Sequence, residues 1–313
     1  MDAEDNSFRR SEAGSAGRAL HADALTARLL AIATPGNARR SGECCSIRLW
    51  NEFAQMLHGA PKLGEVLVVT GNEGAILGER REYPALTFSE NFLRAQAVDG
   101  SLDIEFVPWG GGAVVCHHHG GSGASQTIEF RDCTNAVIHK VCLTGSSLPD
   151  RFVEWVEHHQ AIGEFTNAAP APAFAPSRWQ TVQQRHWLDY DEVVELPGQA
   201  LEGILQYACE QEATLRVVVG NEGIVQSSEL TPRSVRARGS WLFTSDDTVG
   251  LHFDPDRLST QVLHGPAARN GRHASLQFKS FSEDGALRLA LAAPAGMAED
   301  EWADFLNTAI DHL

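Results

Sequence analysis

Positive charge is scarce in this chain. Lys and Arg number 25 against 41 Asp and Glu, for a net charge of −16. Phosphate backbones are bound by clustered cations, so a nucleic-acid partner is not expected. An anionic small ligand would need a locally basic pocket. No run of about 18 apolar residues occurs, the length that spans a bilayer as a helix, so no membrane insertion is expected. The N-terminal stretch MDAEDNSFRRSEAGSAGRAL has no apolar segment of the kind a secretory signal carries. It reads as a polar, disordered tail, and the expected location is cytoplasmic. Cysteine is sparse and scattered, at Cys44, Cys45, Cys116, Cys133, Cys142 and Cys209, with no Cys-x-x-Cys pair. Reduced thiols are expected rather than a zinc knuckle or a redox motif. Nucleophile-elbow, His-Glu-x-x-His and phosphate-loop motifs are also missing.

What the sequence does have is a repeat. Val69-Thr70-Gly71-Asn72-Glu73-Gly74 returns as Val218-Val219-Gly220-Asn221-Glu222-Gly223, 149 residues later. Each copy follows a β-branched run, so each reads as strand, Asn/Gly turn, strand. The match continues in order. Leu102-Asp103-Ile104-Glu105-Phe106 parallels Val249-Gly250-Leu251-His252-Phe253, and Thr127-Ile128-Glu129-Phe130 parallels Ser275-Leu276-Gln277-Phe278. A turn, a further strand (Val137 to Leu143; Leu287 to Leu291) and a closing helix follow in both. The helices begin near Asp150 and near Glu299-Asp300-Glu301, where acidic residues suit the helix dipole. A helix is also expected before each glycine turn, over Ile47 to Leu57 and Leu201 to Ala208.

The Ala/Pro stretch Asn167 to Pro176 reads as a semi-extended linker. The expected organisation is a polar tail and leading helix over 1–45, a first repeat over 46–165, a linker over 166–177 and a second repeat over 178–313. The expected class is α+β: two tandem copies of one unit, each a large twisted antiparallel sheet with packed helices.

With these elements in order, the chain resembles the bacterial haem-utilisation proteins of the HemS/ChuS/HmuS type, the hemin-degrading factors. The likeness rests on Gly64-Glu65 with the Asn72-Glu73 turn and on the stretch VVVGNEGIVQ over 217–226. It also rests on Gly239-Ser240-Trp241-Leu242, Leu251-His252-Phe253 and GRHASLQ over 271–277, and on Trp179 followed by His186. The resemblance implies a HemS-like unit in each half, with haem lying between the repeats as ligand or substrate. It implies His186 as the axial ligand to the haem iron, a role neutral imidazole fills well. It further implies a haem importer or a haem oxygenase as exchange partner.

The chain also departs from the family. Where the family has an Arg after a Leu-Asp-Leu triplet, Leu102-Asp103-Ile104 is followed by Glu105. The family's Arg-Lys-Pro becomes His264-Gly265-Pro266, and its late Gly-x-Arg becomes Ala292-Ala293-Pro294. Cations lost there must come from elsewhere if propionates are to be met. Arg236 and Arg238, with Arg233 nearby, form one basic cluster, and Arg272 with Arg269 lies close to His264 in sequence. The plain alternative for these arginines is a charged edge strand. His252 points away from Leu251 and Phe253, either into the inter-repeat cleft or into solvent. For His186 the plain alternative is a surface or packing residue beside Trp187. Cys116-His117-His118-His119 reads as a solvated strand end before a Gly-rich hairpin loop, and Trp109-Gly110-Gly111-Gly112 as a bulge or turn. Three functions follow: a haem carrier in cytoplasmic iron acquisition, a ring-opening enzyme that degrades haem, or a degenerate scaffold that binds a partner.

Overall fold

The computed structural model describes residues 45–119, 123–167, 192–265, 276–283 and 285–313. The polar tail, most of the Ala/Pro stretch and the 266–275 segment lie outside them.

The first half runs through β1 (Cys45–Leu49), α1 (Phe53–Gly59), β2 (Gly64–Gly71), β3 (Ala75–Glu82), β4 (Leu86–Phe88), β5 (Arg94–Ala97) and β6 (Leu102–Glu105). It continues through β7 (Trp109–His119), β8 (Gly123–Asp132), β9 (Val137–Ser147), α2 (Pro149–His159) and β10 (Gln160–Asn167). The second half repeats the series as β11 (Glu192–Leu196), α3 (Ala200–Glu210), β12 (Leu215–Gly220), β13 (Ile224–Leu230), β14 (Val235–Arg238), β15 (Trp241–Ser245) and β16 (Val249–Phe253). It ends with β17 (Thr260–Gly265), β18 (Gln277–Phe281), β19 (Leu287–Ala292) and α4 (Glu299–Asp311). The class is α+β, with two large antiparallel sheets and helices packed on them.

Among the described residues the first sheet has ten strands in the order β10-β1-β7-β8-β9-β2-β3-β16-β15-β14, and the second has nine, β11-β17-β18-β19-β12-β13-β6-β5-β4. Neither sheet is built from one half alone. The β4–β6 meander of the first half leaves its own sheet and pairs with β13, Ile224 opposite Ile104. The β14–β16 meander of the second half pairs with β3, Leu251 opposite Leu77. The halves are therefore interlocked by a reciprocal exchange of three strands. The two cores are shared in the same way. Ile104 and Ile224 sit in the first beside Phe53, Trp109, Phe130 and Trp155, while Ala75 and Leu77 sit in the second beside Leu201, Leu205 and Trp302.

The helices form for local reasons. In α3, Leu201, Ile204, Leu205 and Ala208 fall on one stripe and all are buried. In α4 three acidic residues fill the first turn and Trp302, Leu306 and Ala309 face inward. The helix expected over Ile47 to Leu57 is corrected: 45–49 is a strand between β7 and β10, and the helix starts only at Phe53. The tri-glycine stretch begins β7 with a bulge between Trp109 and Gly111. There a Cβ on Gly110 would come within 2.7 Å of the Asp132 and Cys133 backbone.

The repeated turn supplies the fastening between halves. Asn72 accepts from its own turn at the Gly74 and Ala75 amides, both 2.9 Å, and donates across to the Gly220 and Arg288 carbonyls, both 2.8 Å. Asn221 mirrors it. It accepts from Gly223 and Ile224, and donates to Gly71 O at 2.9 Å and Ile138 O at 2.7 Å. Both side chains are buried. The turns approach so closely that a Cβ on Gly223 would meet Trp109 Nε1 at 2.5 Å. Only glycine fits there, and Trp109 Nε1 donates to the Gly223 carbonyl at 3.2 Å.

Candidate functional site

The strand exchange places β6, and Glu105 at its end, beside the second half's turn. The Glu105 amide donates to Gly223 O at 2.9 Å. Its carboxylate accepts from Arg94 Nε at 2.6 Å, from the residue directly across on β5. The acid at the end of β6 is thus paired with a guanidinium on the next strand.

A cavity of about 1180 Å³ lies beside this meander, between α1 and α2 on one side and the β4–β5 connection on the other. Its walls are aromatic: Phe53, Phe88, Phe92, Phe106, Trp109 and Trp155. Their rings form a chain, Phe53–Trp109 at 5.4 Å, Trp109–Phe106 at 5.2 Å and Phe106–Phe88 stacked at 6.4 Å. Such contacts hold the wall rigid beyond simple burial. Three imidazoles line it, His58 on α1 and His158 and His159 at the end of α2, with Lys62 and Arg151 as the cations. His159 is buried against Trp155, ring centroids 4.8 Å apart, and burial together with its neighbour His158 lowers its pKa. His58 and His158 are exposed. At the mouth, Phe92 has φ +56°, a backbone region a bulky residue adopts only under constraint, and is 62% exposed.

None of these lining residues was among the site candidates drawn from sequence. The available signal was α2 itself, where Arg151, Trp155 and His158 recur at helical spacing on a chain short of cations.

The residues expected to meet haem are spread more widely. His186 and Arg272 lie outside the described residues. Arg236 and Arg238 are exposed on β14, the edge strand of the ten-stranded sheet. His264 lies on β17 with its backbone opposite Gln277. His252 is corrected as a solvated strand histidine: both faces of β16 are covered, and it is fully buried. Its ring stacks on Phe243 at 5.7 Å, and neither ring nitrogen has a hydrogen-bond partner. Burial, then the Arg238 charge, lowers its pKa to about 3. Among the described residues Cys133 and Cys209 carry free thiols. No helix among the described residues is long and apolar enough to cross a membrane.

Two buried histidines make the protein sensitive to acid. His139 is also held at about 3 by burial, with Thr70 Oγ1 at 3.0 Å and Tyr83 OH at 3.2 Å on its two ring nitrogens. In both histidines the folded value lies below the ordinary 6.5. The unfolded chain therefore binds more protons between these values, and stability falls as pH drops through that window. Urea unfolding is expected to show a clearly lower midpoint at pH 5 than at pH 7. A His252→Phe variant should show a shallower decline, and an unchanged slope would refute the burial of a neutral ring there.

Neither a protein-family model nor a curated protein matches the chain. Solved structures do. Holo-PhuS, a haem-binding protein from Pseudomonas aeruginosa, aligns over 90% of this chain and 92% of its own, at TM-score 0.70 and 19% identity. Its apo form aligns over 87% and 88%, at TM-score 0.67 and 19% identity. ChuS, a haem oxygenase from E. coli, aligns over 85% and 89%, at TM-score 0.68 and 17% identity. The interlocked two-sheet chain described here thus carries the fold of the HemS/ChuS type, in a divergent sequence.

Proposed function

We propose that this protein binds haem and carries it in cytoplasmic iron acquisition, receiving it from an importer or passing it to a haem oxygenase. One observation carries the reading: nine-tenths of the chain superposes on a haem-binding protein at TM-score 0.70. In this reading His186, on the segment entering the second half, is the axial ligand. Arg236, Arg238 and Arg272 are the candidate partners of the propionates, with His264 as a further contact, while the buried ring of His252 is not open to a ligand. Carriage is favoured over ring opening because the Arg94 guanidinium is already bound to Glu105. A neutralised cation gives little help to charge developing at a bound ligand.

The test is a titration of the purified protein with hemin, followed at the Soret band. Saturable binding is expected, with a shifted band and weaker affinity in His186→Ala. A featureless titration would reject haem binding, and an identical spectrum in the variant would reject His186 as ligand.

A further inference from the structure

The aromatic cavity of the first half is open where the matching place in the second half is filled. His58 matches Tyr207 at the repeat offset of 149, and His158 matches Phe305 at the offset of 147 that relates Trp155 to Trp302. In the second half Tyr207 and Phe305 touch, ring centroids 5.3 Å apart, with His312 stacked on Tyr207 at 5.4 Å. Leu313 closes on Gly203 so tightly that a Cβ there would meet it at 1.9 Å. In the first half the same two positions carry exposed imidazoles that border a cavity of about 1180 Å³. Two related units have kept one architecture and treated this spot in opposite ways.

The chemistry of the lining selects the occupant. Pockets for drug-sized ligands run to about 1,000 Å³, so this one accepts a molecule of macrocycle size. Its aromatic walls suit a flat, apolar ring system, and Phe92 and Leu93 leave exposed apolar surface at the mouth. Lys62 and Arg151 line it together with the acids Glu52 and Glu154, and these two exposed cations are what it offers to an anionic periphery. Arg151 is paired with Glu154 at 2.9 Å, but both are exposed and such a pair is readily exchanged. A bare metal ion does not fit, because a protein site for one needs about three or four ligands. Among the described residues no three His, Cys, Asp or Glu are grouped to hold one. Porphyrin iron brings four nitrogens of its own and asks the protein for only one or two axial ligands.

We propose that the first-half cavity is a second haem site, separate from the one served by His186, with an axial imidazole from His58 or His158 and with Lys62 and Arg151 facing the propionates. This inference rests on the haem-binding reading above. It makes the protein a carrier of two haems rather than one, with the two sites differing in their ligands.

Haem stoichiometry tests it on the full chain. The wild type is compared with His58→Ala/His158→Ala, with the cavity-filling His58→Tyr/His158→Phe that copies the second half, and with His186→Ala. Both first-half positions are exposed, so the variants should fold, and their thermal unfolding checks this. The expected result is two equivalents bound by the wild type and one by each first-half double variant. One equivalent in the wild type that disappears in the first-half variants overturns a separate second site, because a single haem would then depend on the cavity. One equivalent that persists unchanged in both double variants overturns the second site and leaves the proposed function standing. No binding by the wild type overturns both.

Discussion

Replacing Asn72 with alanine is expected to destabilise the protein by about 4 kcal/mol, among the largest effects of any single substitution. The amide side chain serves four backbone groups at once, two in its own turn and two in the other half. Its removal leaves two buried N–H groups and two buried carbonyls without their partners, at about 1–3 kcal/mol each before relaxation. Asn72→Asp isolates the crossing bonds. The carboxylate can still accept from Gly74 and Ala75 but can no longer donate to Gly220 and Arg288, and it sets a charge against two carbonyl oxygens. It should therefore be at least as damaging as alanine. Asn221→Ala should match Asn72→Ala, because its four bonds mirror those of Asn72. Urea unfolding monitored by tryptophan fluorescence measures all three. A loss below about 0.5 kcal/mol in Asn72→Ala would mean that the turns are held together by something else.

The second large effect concerns a buried ion cluster on β8 and β9. Glu129 is fully buried, 2.9 Å from Lys140 Nζ and 2.5 Å from Arg131 Nη2. Burial alone would raise its pKa, but the two cations outweigh this and hold it at about 2. Glu129→Ala leaves the Lys140 ammonium, itself only 2% exposed, without its carboxylate. The expected loss is about 3–5 kcal/mol. Replacing Glu129 and Lys140 together, as Glu129→Leu/Lys140→Met, should recover part of that loss, since the apolar pair brings no desolvation cost while Arg131 keeps its bond to Asn135. The pH signature has a definite sign. The folded value lies below the ordinary 4.5, so the cluster stabilises above that pH and its contribution disappears as pH falls towards about 2. A double variant no more stable than Glu129→Ala would show that the cluster does more than neutralise itself.

The sequence made the repeated elements visible because their signals are local. Alternation at Leu102-Asp103-Ile104, the Asn-Glu-Gly turns and the acidic starts of α2 and α4 each depend on a few neighbouring residues. Strand exchange left no such trace. Leu102 and Ile104 alternate in the same way whichever sheet accepts them, and the choice of β13 as partner is made across more than a hundred residues. His252 departs from its expected position for a related reason, since alternation marks one face as apolar without saying that the other is also covered. The apolar spacing of Ile47, Phe53, Met56 and Leu57 imitates a helix, yet residues 45–49 pair as a strand and only the later residues turn. The cavity is hidden in the sequence because His58 and His158 are a hundred residues apart and come to border one cavity only through packing. Glu105 reads as the loss of a cation, and the Arg94 guanidinium opposite it on β5 is paired with that acid rather than standing in for the lost charge.

The reciprocal exchange of β4–β6 and β14–β16 also bears on how such a molecule could be divided. A chain cut between its halves would leave β3 and β13 with bare edges and each meander without a host. Two identical fragments could answer each other's needs around a two-fold axis. Seen that way, the single polypeptide is a tethered dimer, whose partners have been free to specialise because neither can leave.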